Sequence, residues 1–308
     1  MRPRAPGFPW LPRPTLSNGI DPRLMGLPFE LVDRLLLQAA RLAGARSHMV
    51  QTPQGPGHVL ELVGKGKGPP IVLLHGLGSC GADYVPLMRI LKSSHRRLLA
   101  PDLPGHGRAP IPRGGMQPGP LIEALVGTLD AVLTEPAIVF GNSLGGLAAI
   151  RYAQARPQRV RALILASPGG APQDDHNLRA FIDSFQMRDH AAALQFVDRF
   201  LGRPNTFRGP MARGVRNRMG RTGTQQLVRN VNVDMLLTPA DLQTLKMPTL
   251  VFWGDQDAVM ASSDRSFFEN NLPPRGRFMS ASGYGHAPYL DSAGDFVKLL
   301  RPFLLSVQ

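Results

Sequence analysis

Cysteine is nearly absent: Cys80 stands alone in 308 residues. A single thiol excludes an intramolecular disulfide, and nothing around it has metal-ligand spacing. Lysine is scarce as well, limited to Lys65, Lys67, Lys92, Lys246 and Lys298, so arginine carries nearly all of the net charge of +13. No basic block interleaved with aromatics accompanies that charge, so nucleic acid is not an expected partner. Attraction to anionic surfaces or acidic substrates is one use for it. A compositional preference for arginine is the simpler explanation. No run approaches eighteen consecutive apolar residues, so no transmembrane helix is expected. Arg2 to Pro14 is rich in arginine and proline and lacks the continuous apolar core of a secretory signal. The expectation is a cytoplasmic protein.

What is present is a chain long enough for one full core with an insertion. Residues 1–47 read as an N-terminal extension, with an amphipathic helix over 29–43. Val32, Leu35, Leu36, Ala39, Leu42 and Ala43 fall on one of its faces, and Glu30, Asp33, Arg34, Gln38 and Arg41 on the other. Docking on its own protein is the ordinary outcome for such a helix. Peripheral contact with a membrane or lipid surface is the alternative. His48 to Val63, with Gly55-Pro56-Gly57 at its centre, reads as an opening β-hairpin. Strands and helices then alternate, which predicts an α/β fold with a mainly parallel central sheet flanked by helices. The core is expected to comprise residues 48–169 and 248–308. Between them, 170–247 has helical patterns at Leu178–Phe185 and Ala191–Phe200 but no convincing strand. The arginine-rich stretch from Arg203 to Arg221 reads as a solvated irregular connection, with a mobile lid or a contact for an acidic ligand as the alternative.

One decapeptide carries the chemistry. Ala137-Ile138-Val139-Phe140 is a buried-strand run; Gly141-Asn142-Ser143-Leu144-Gly145-Gly146 follows, and a helical pattern begins at once. A strand–turn–helix with a glycine-flanked serine is a nucleophile elbow, which lifts a hydroxyl above the sheet edge. The pattern is weak alone, and three further features sit where such a site needs them. Upstream, Pro70 to Leu74 is a strand run ending in His75-Gly76-Leu77-Gly78. The backbone N–H groups of Leu77 and Leu144 would form an oxyanion hole, with the His75 side chain structural. Gly76 and Asn142 are expected to line the substrate position. Downstream, Pro248 to Trp253 is a strand run followed by Gly254-Asp255-Gln256-Asp257. Two carboxylates compete to orient an imidazole, and Asp257 is favoured by loop reach. Near the end, Gly283-Tyr284-Gly285-His286 forms a glycine-hinged loop. Of the eight histidines, only His286 follows both the serine and the carboxylate.

These motifs resemble the α/β-hydrolase family, whose chain order is Ser, Asp, His. Pro101-Asp102-Leu103-Pro104-Gly105-His106-Gly107-Arg108 is similar to the family's loop after strand four, where Asp102 and His106 would be structural. The resemblance implies a catalytic set of Ser143, Asp257 and His286, with no metal or organic cofactor. It also implies a helical cap over the site at 170–247. Serine at 143 excludes relatives with an aspartate nucleophile. Gly-Asn-Ser-x-Gly-Gly is similar to hydrolases of ring-opened aromatic diketones, whereas Ala-Pro-Tyr-Leu-Asp after His286 is similar to ordinary esterases. The expected function is a carboxylesterase- or lipase-like serine hydrolase acting on a small-molecule ester. A meta-cleavage carbon–carbon hydrolase and an acyltransferase are the alternatives within enzymes. A non-catalytic binding module is the alternative outside them.

Overall fold

The computed structural model describes residues 37–308 apart from positions 39 and 43. In chain order the strands are β1 (Ala45–Val50), β2 (Gly57–Val63), β3 (Ile71–Leu74), β4 (Arg97–Pro101), β5 (Ala137–Asn142), β6 (Val160–Ala166), β7 (Thr249–Gly254) and β8 (Gly276–Ala281). They form one sheet in the order β1-β2-β4-β3-β5-β6-β7-β8. Pairing is antiparallel from β1 to β2 and from β2 to β4, and parallel from β4 through to β8.

Successive residues of the central strands enter opposite apolar layers. Val72, Leu74, Val139, Leu163, Leu165 and Val251 pack on one side. Ile71, Leu73, Ile138, Phe140, Ile164, Leu250 and Phe252 pack on the other. A strand buried on both faces has no polar face to alternate with, which is why these segments read as unbroken apolar runs. The first layer is closed by α2 (Pro118–Val132), α3 (Leu144–Ala155) and α9 (Ser262–Asn270) through Leu125, Leu129, Ile150 and Phe268. The second is closed by α1 (Val85–Leu91) and α10 (Pro288–Ser306) through Leu87, Leu91, Phe296, Leu300 and Phe303.

Between β6 and β7 lie α4 (Asp175–Asp183), α5 (His190–Phe200), α6 (Arg208–Met219), α7 (Thr222–Asn230) and the short α8 (Pro239–Gln243), with no strand among these described residues. Asp174 caps α4 by accepting from the Asn177 N–H at 2.7 Å, and Asp189 caps α5 by accepting from the Ala192 N–H at 2.8 Å. The expected irregular connection over Arg203–Arg221 is corrected: most of it is helix α6. Met211, Ala212, Val215 and Met219 recur at helical spacing and face inward, with Ala212 and Met219 buried. Gly209, Pro210 and Gly214 lower the helix propensity and hid that face.

The opening hairpin begins earlier than expected, because Ala45 already pairs with Leu62. Residues 45–47 therefore belong to the sheet and not to an extension. Residues 1–36 of the expected extension, and with them most of the expected 29–43 helix, lie outside the described residues. Residues 37–38 and 40–42 are helical, with Ala40 buried and Leu42 91% exposed. Two residues apart on a helix is about 200°, so Leu42 points away from the face that Ala40 buries. Among the described residues, no helix is long and apolar enough to cross a membrane.

Candidate active site

Loops at the carboxyl ends of β3, β5, β7 and β8 converge, as parallel strands of one sheet dictate. Ser143 sits between β5 and α3 with φ 55° and ψ −122°, and apart from Ser167 it is the only described non-glycine residue with positive φ. Such a conformation costs about 1–3 kcal/mol and persists only where the surroundings enforce it. Here the Ser143 carbonyl accepts from the N–H groups of Gly146, Leu147 and Gly169 at 2.8, 3.3 and 2.9 Å. The flanking glycines are needed because backbones touch. A Cβ on Gly145 would lie 2.1 Å from the Leu74 carbonyl oxygen, and one on Gly141 would lie 2.2 Å from that of Gly145.

The turn after β3 packs on this serine. A Cβ on Gly76 would lie 3.2 Å from the Ser143 Cβ. Leu144 is the first residue of α3, where an N–H has no partner inside the helix. Among the described residues neither its N–H nor that of Leu77 donates to a protein acceptor. The His75 ring holds the turn: Nδ1 bonds the Gly76 carbonyl at 2.8 Å, and Nε2 receives the Leu103 N–H at 2.9 Å. Those roles require a neutral ring with its proton on Nδ1, and burial depresses the pKa of His75 accordingly. Asp102 accepts from the N–H groups of Gly81 and Arg108 at 2.7 Å each and pairs with the His58 ring at 2.6 Å. It braces the loops without reaching Ser143.

Asp257 and His286 are brought together. Nδ1 of His286 lies 2.9 Å from Oδ2 of Asp257, with side chains 2% and 0% exposed. Oδ1 of Asp257 accepts from the Val259 and Met260 N–H groups at 2.9 and 3.2 Å. Burial alone would raise this carboxyl. The histidine and the N–H donors outweigh it and hold Asp257 below the usual carboxylate value. Asp255 faces solvent and pairs with Arg265 at 3.1 Å. Of the two competing carboxylates, Asp257 is the one on the imidazole. No hydrogen bond among the described residues joins the Ser143 hydroxyl to the ring, and such contacts are often long before substrate binds.

Asn142 departs from the substrate-lining expectation. It is 1% exposed, and its Nδ2 donates to the carbonyls of Ala166 at 2.9 Å and His286 at 2.8 Å. A buried amide held by two backbone oxygens is a brace. Sequence offered no signal for it, because the partner lies 144 residues away.

The helical segment packs on the turn after β3. Met219 of α6 lies so close to Gly78 that a Cβ there would meet its sulfur at 2.7 Å. Arg218 pairs with Asp83 at 2.5 Å, and Asp83 also accepts from Ser79 at 2.6 Å. A cavity of about 620 Å³ opens at the corner of α6 and α7, lined by Met187, Met219, Arg216, Arg221 and Gln225 among others. Phe181, Phe185, Phe196 and Phe200 form a line of ring contacts that ends on His286, with the last two ring centroids 5.3 Å apart.

A mostly parallel sheet with a strained serine elbow at the end of its fifth strand is the architecture of an elbow-bearing α/β hydrolase. The chain belongs to the alpha/beta hydrolase family, whose sequence profile matches residues 71–299. It is 31% identical over 260 residues to the pimeloyl-[acyl-carrier protein] methyl ester esterase of Xanthomonas oryzae pv. oryzae, covering 79% of this chain and 97% of that protein. The esterase of the same name from Chromobacterium violaceum is 30% identical over 256 residues, covering 78% and 95%. In fold the chain is similar to naproxen esterase (carboxylesterase NP) from Bacillus subtilis. The TM-score is 0.72 at 19% identity, covering 90% of this chain and 98% of that one.

Proposed function

We propose that the protein is a serine hydrolase that cleaves carboxylic esters through an acyl-enzyme. The observation that carries this reading is the buried Asp257–His286 pair, held at 2.9 Å on loops that meet the Ser143 elbow. With Nδ1–H donated to Asp257, the Nε2 lone pair of His286 is left as the base. It takes the proton from the Ser143 hydroxyl as Oγ attacks the ester carbonyl carbon. The N–H groups of Leu77 and Leu144 stabilise the oxyanion, each worth about 3 kcal/mol by comparison with known donors. The imidazolium returns its proton to the departing alkoxide, and the alcohol leaves. Water, deprotonated by the same nitrogen, then releases the acid and regenerates Ser143. Asp257 stays ionised throughout and balances the imidazolium.

The helices from 175 to 243 act as a cap that governs substrate choice. Met219 against Gly78 and the phenylalanine line ending on His286 support this reading. Methyl ester cleavage is the named activity of the relatives at 30–31% identity, which supports an ester over a carbon–carbon bond as substrate. Parallel assays on short p-nitrophenyl esters and on a ring-opened dienoate test the proposal. Turnover of the esters alone is expected. Cleavage of the dienoate alone would replace the ester reading with the carbon–carbon one.

A further inference from the structure

His286 is gripped by its own peptide groups. Its carbonyl accepts from Asn142 on the nucleophile strand, and its N–H donates to the Phe200 carbonyl at the end of α5, at 2.9 Å. The second contact belongs to the helical segment, not to the sheet. The Ala258 N–H, beside Asp257, donates in the same way to the Arg199 carbonyl at 3.2 Å. Arg203 Nε donates to the Gly283 carbonyl at 2.8 Å. Residues 199–203 thus run along both the acid loop and the histidine loop.

The closest point of that crossing is Gly202 over Gly285. A Cβ on Gly202 would lie 2.3 Å from the Gly285 nitrogen, and one on Gly285 would lie 2.4 Å from the Gly202 nitrogen. Two N–H groups brought face to face need an acceptor between them. One carboxylate supplies it: Asp291 Oδ1 accepts from Gly202 at 2.9 Å, and Oδ2 accepts from Gly285 at 2.7 Å. Asp291 ends the short opening turn of α10, just before the backbone becomes extended at Ser292.

We propose that Asp291 is a positioning residue for His286, clasping the root of the helical segment at Gly202 to the histidine loop at Gly285. The inference rests on the reading of Ser143 and His286 as nucleophile and base. Removing the clasp leaves the buried Gly285 N–H without its acceptor and frees the two backbones to separate. His286 follows its neighbour Gly285. A displacement near 1 Å at a reacting group costs on the order of a hundredfold in rate. The segment's root therefore contributes to the chemistry itself, in addition to any part its inner helices take in substrate choice.

The test uses the full chain and two variants. Asp291→Asn keeps the shape but sets an amide NH2 against one of the two N–H donors. Gly202→Ala forces the same backbones apart without touching Asp291. Each is assayed well below its melting temperature for kcat and KM on p-nitrophenyl acetate, and for the rate of fluorophosphonate labelling read by intact mass. The expected result for either variant is a loss of about ten- to a hundredfold in kcat with KM within about twofold. The labelling rate should fall by the same factor. A purely structural clasp would lower the melting temperature and leave both rates unchanged in the folded protein. That outcome overturns the inference, as does a rise in KM alone. If Asp291→Asn does not fold, Gly202→Ala decides by the same criteria. Ser143→Ala is measured in parallel. Retained turnover there overturns the serine-hydrolase reading, whereas its loss beside an unimpaired Asp291→Asn overturns only the clasp.

Discussion

Asn142 and His286 are joined directly: the side-chain amide of the first donates to the backbone carbonyl of the second at 2.8 Å. The residue beside the elbow serine therefore fixes the loop of the candidate base. Asn142→Ala is expected to lower kcat about ten- to a hundredfold with KM little changed, because it loosens geometry and not substrate affinity. Steady-state kinetics on a short ester separates the alternatives. A raised KM with intact kcat would return Asn142 to the substrate-lining role that its place in the sequence suggested.

The two acidic residues after β7 should behave very differently. Asp257→Asn presents an amide to His286 Nδ1 and favours the wrong tautomer, so kcat should fall by about three to four orders of magnitude. Asp255→Asn removes only a partly exposed pair with Arg265 and should stay within about twofold. Equal losses in the two variants would contradict the assignment.

Stability should decline in mild acid, in part through His106. Burial, aided by the neighbouring His75 ring, holds His106 down at about 4, and its Nε2 has no hydrogen-bond partner among the described residues. The Pro104 carbonyl and Asp102 oppose that depression, and Arg221 adds to it. Below about 6.5 the unfolded chain takes up a proton here that the folded chain refuses. The stabilisation is full above that pH and is lost as pH falls from about 6.5 towards 4, with a slope of up to about 1.4 kcal/mol per unit. Urea unfolding across this range should give a shallower pH dependence for His106→Gln than for the parent. His75 and His95, also depressed by burial, leave a remaining slope. Identical slopes would show that His106 is protonated equally in both states.

The elbow was readable because it is local: a strand run, a glycine-flanked serine and a helix start lie within one short stretch. The sheet was readable for a related reason, since strands buried on both faces leave apolar runs such as Leu250 to Trp253. Pairings through space left no such trace. The Asn142–His286 brace and the Asp291 bridge from Gly202 to Gly285 join residues far apart in the chain, with no periodicity to mark them. Helix α6 was missed for a compositional reason. Its arginines and glycines mask an inner face of Met211, Ala212, Val215 and Met219. The start of β1 at Ala45 is set by its pairing with Leu62 and not by its own residues.

Met219 connects the helical segment to the turn after β3 at Gly78, and under the proposed function shortening it should open space beside Ser143. Met219→Ala is expected to raise kcat/KM for a medium-chain ester relative to the acetate by about tenfold, the scale on which apolar pockets discriminate. The cost in stability is about 2–5 kcal/mol, so the folded fraction is checked first. An unchanged chain-length profile would remove Met219 from the substrate path.

Everything proposed for the site depends on Ser143 as the nucleophile, and fluorophosphonate labelling followed by peptide mapping identifies that residue. One adduct per chain is expected, on Ser143, with ester turnover lost in proportion to labelling and no adduct on Ser143→Ala. An adduct on another serine, or turnover that survives complete modification of Ser143, would contradict this assignment.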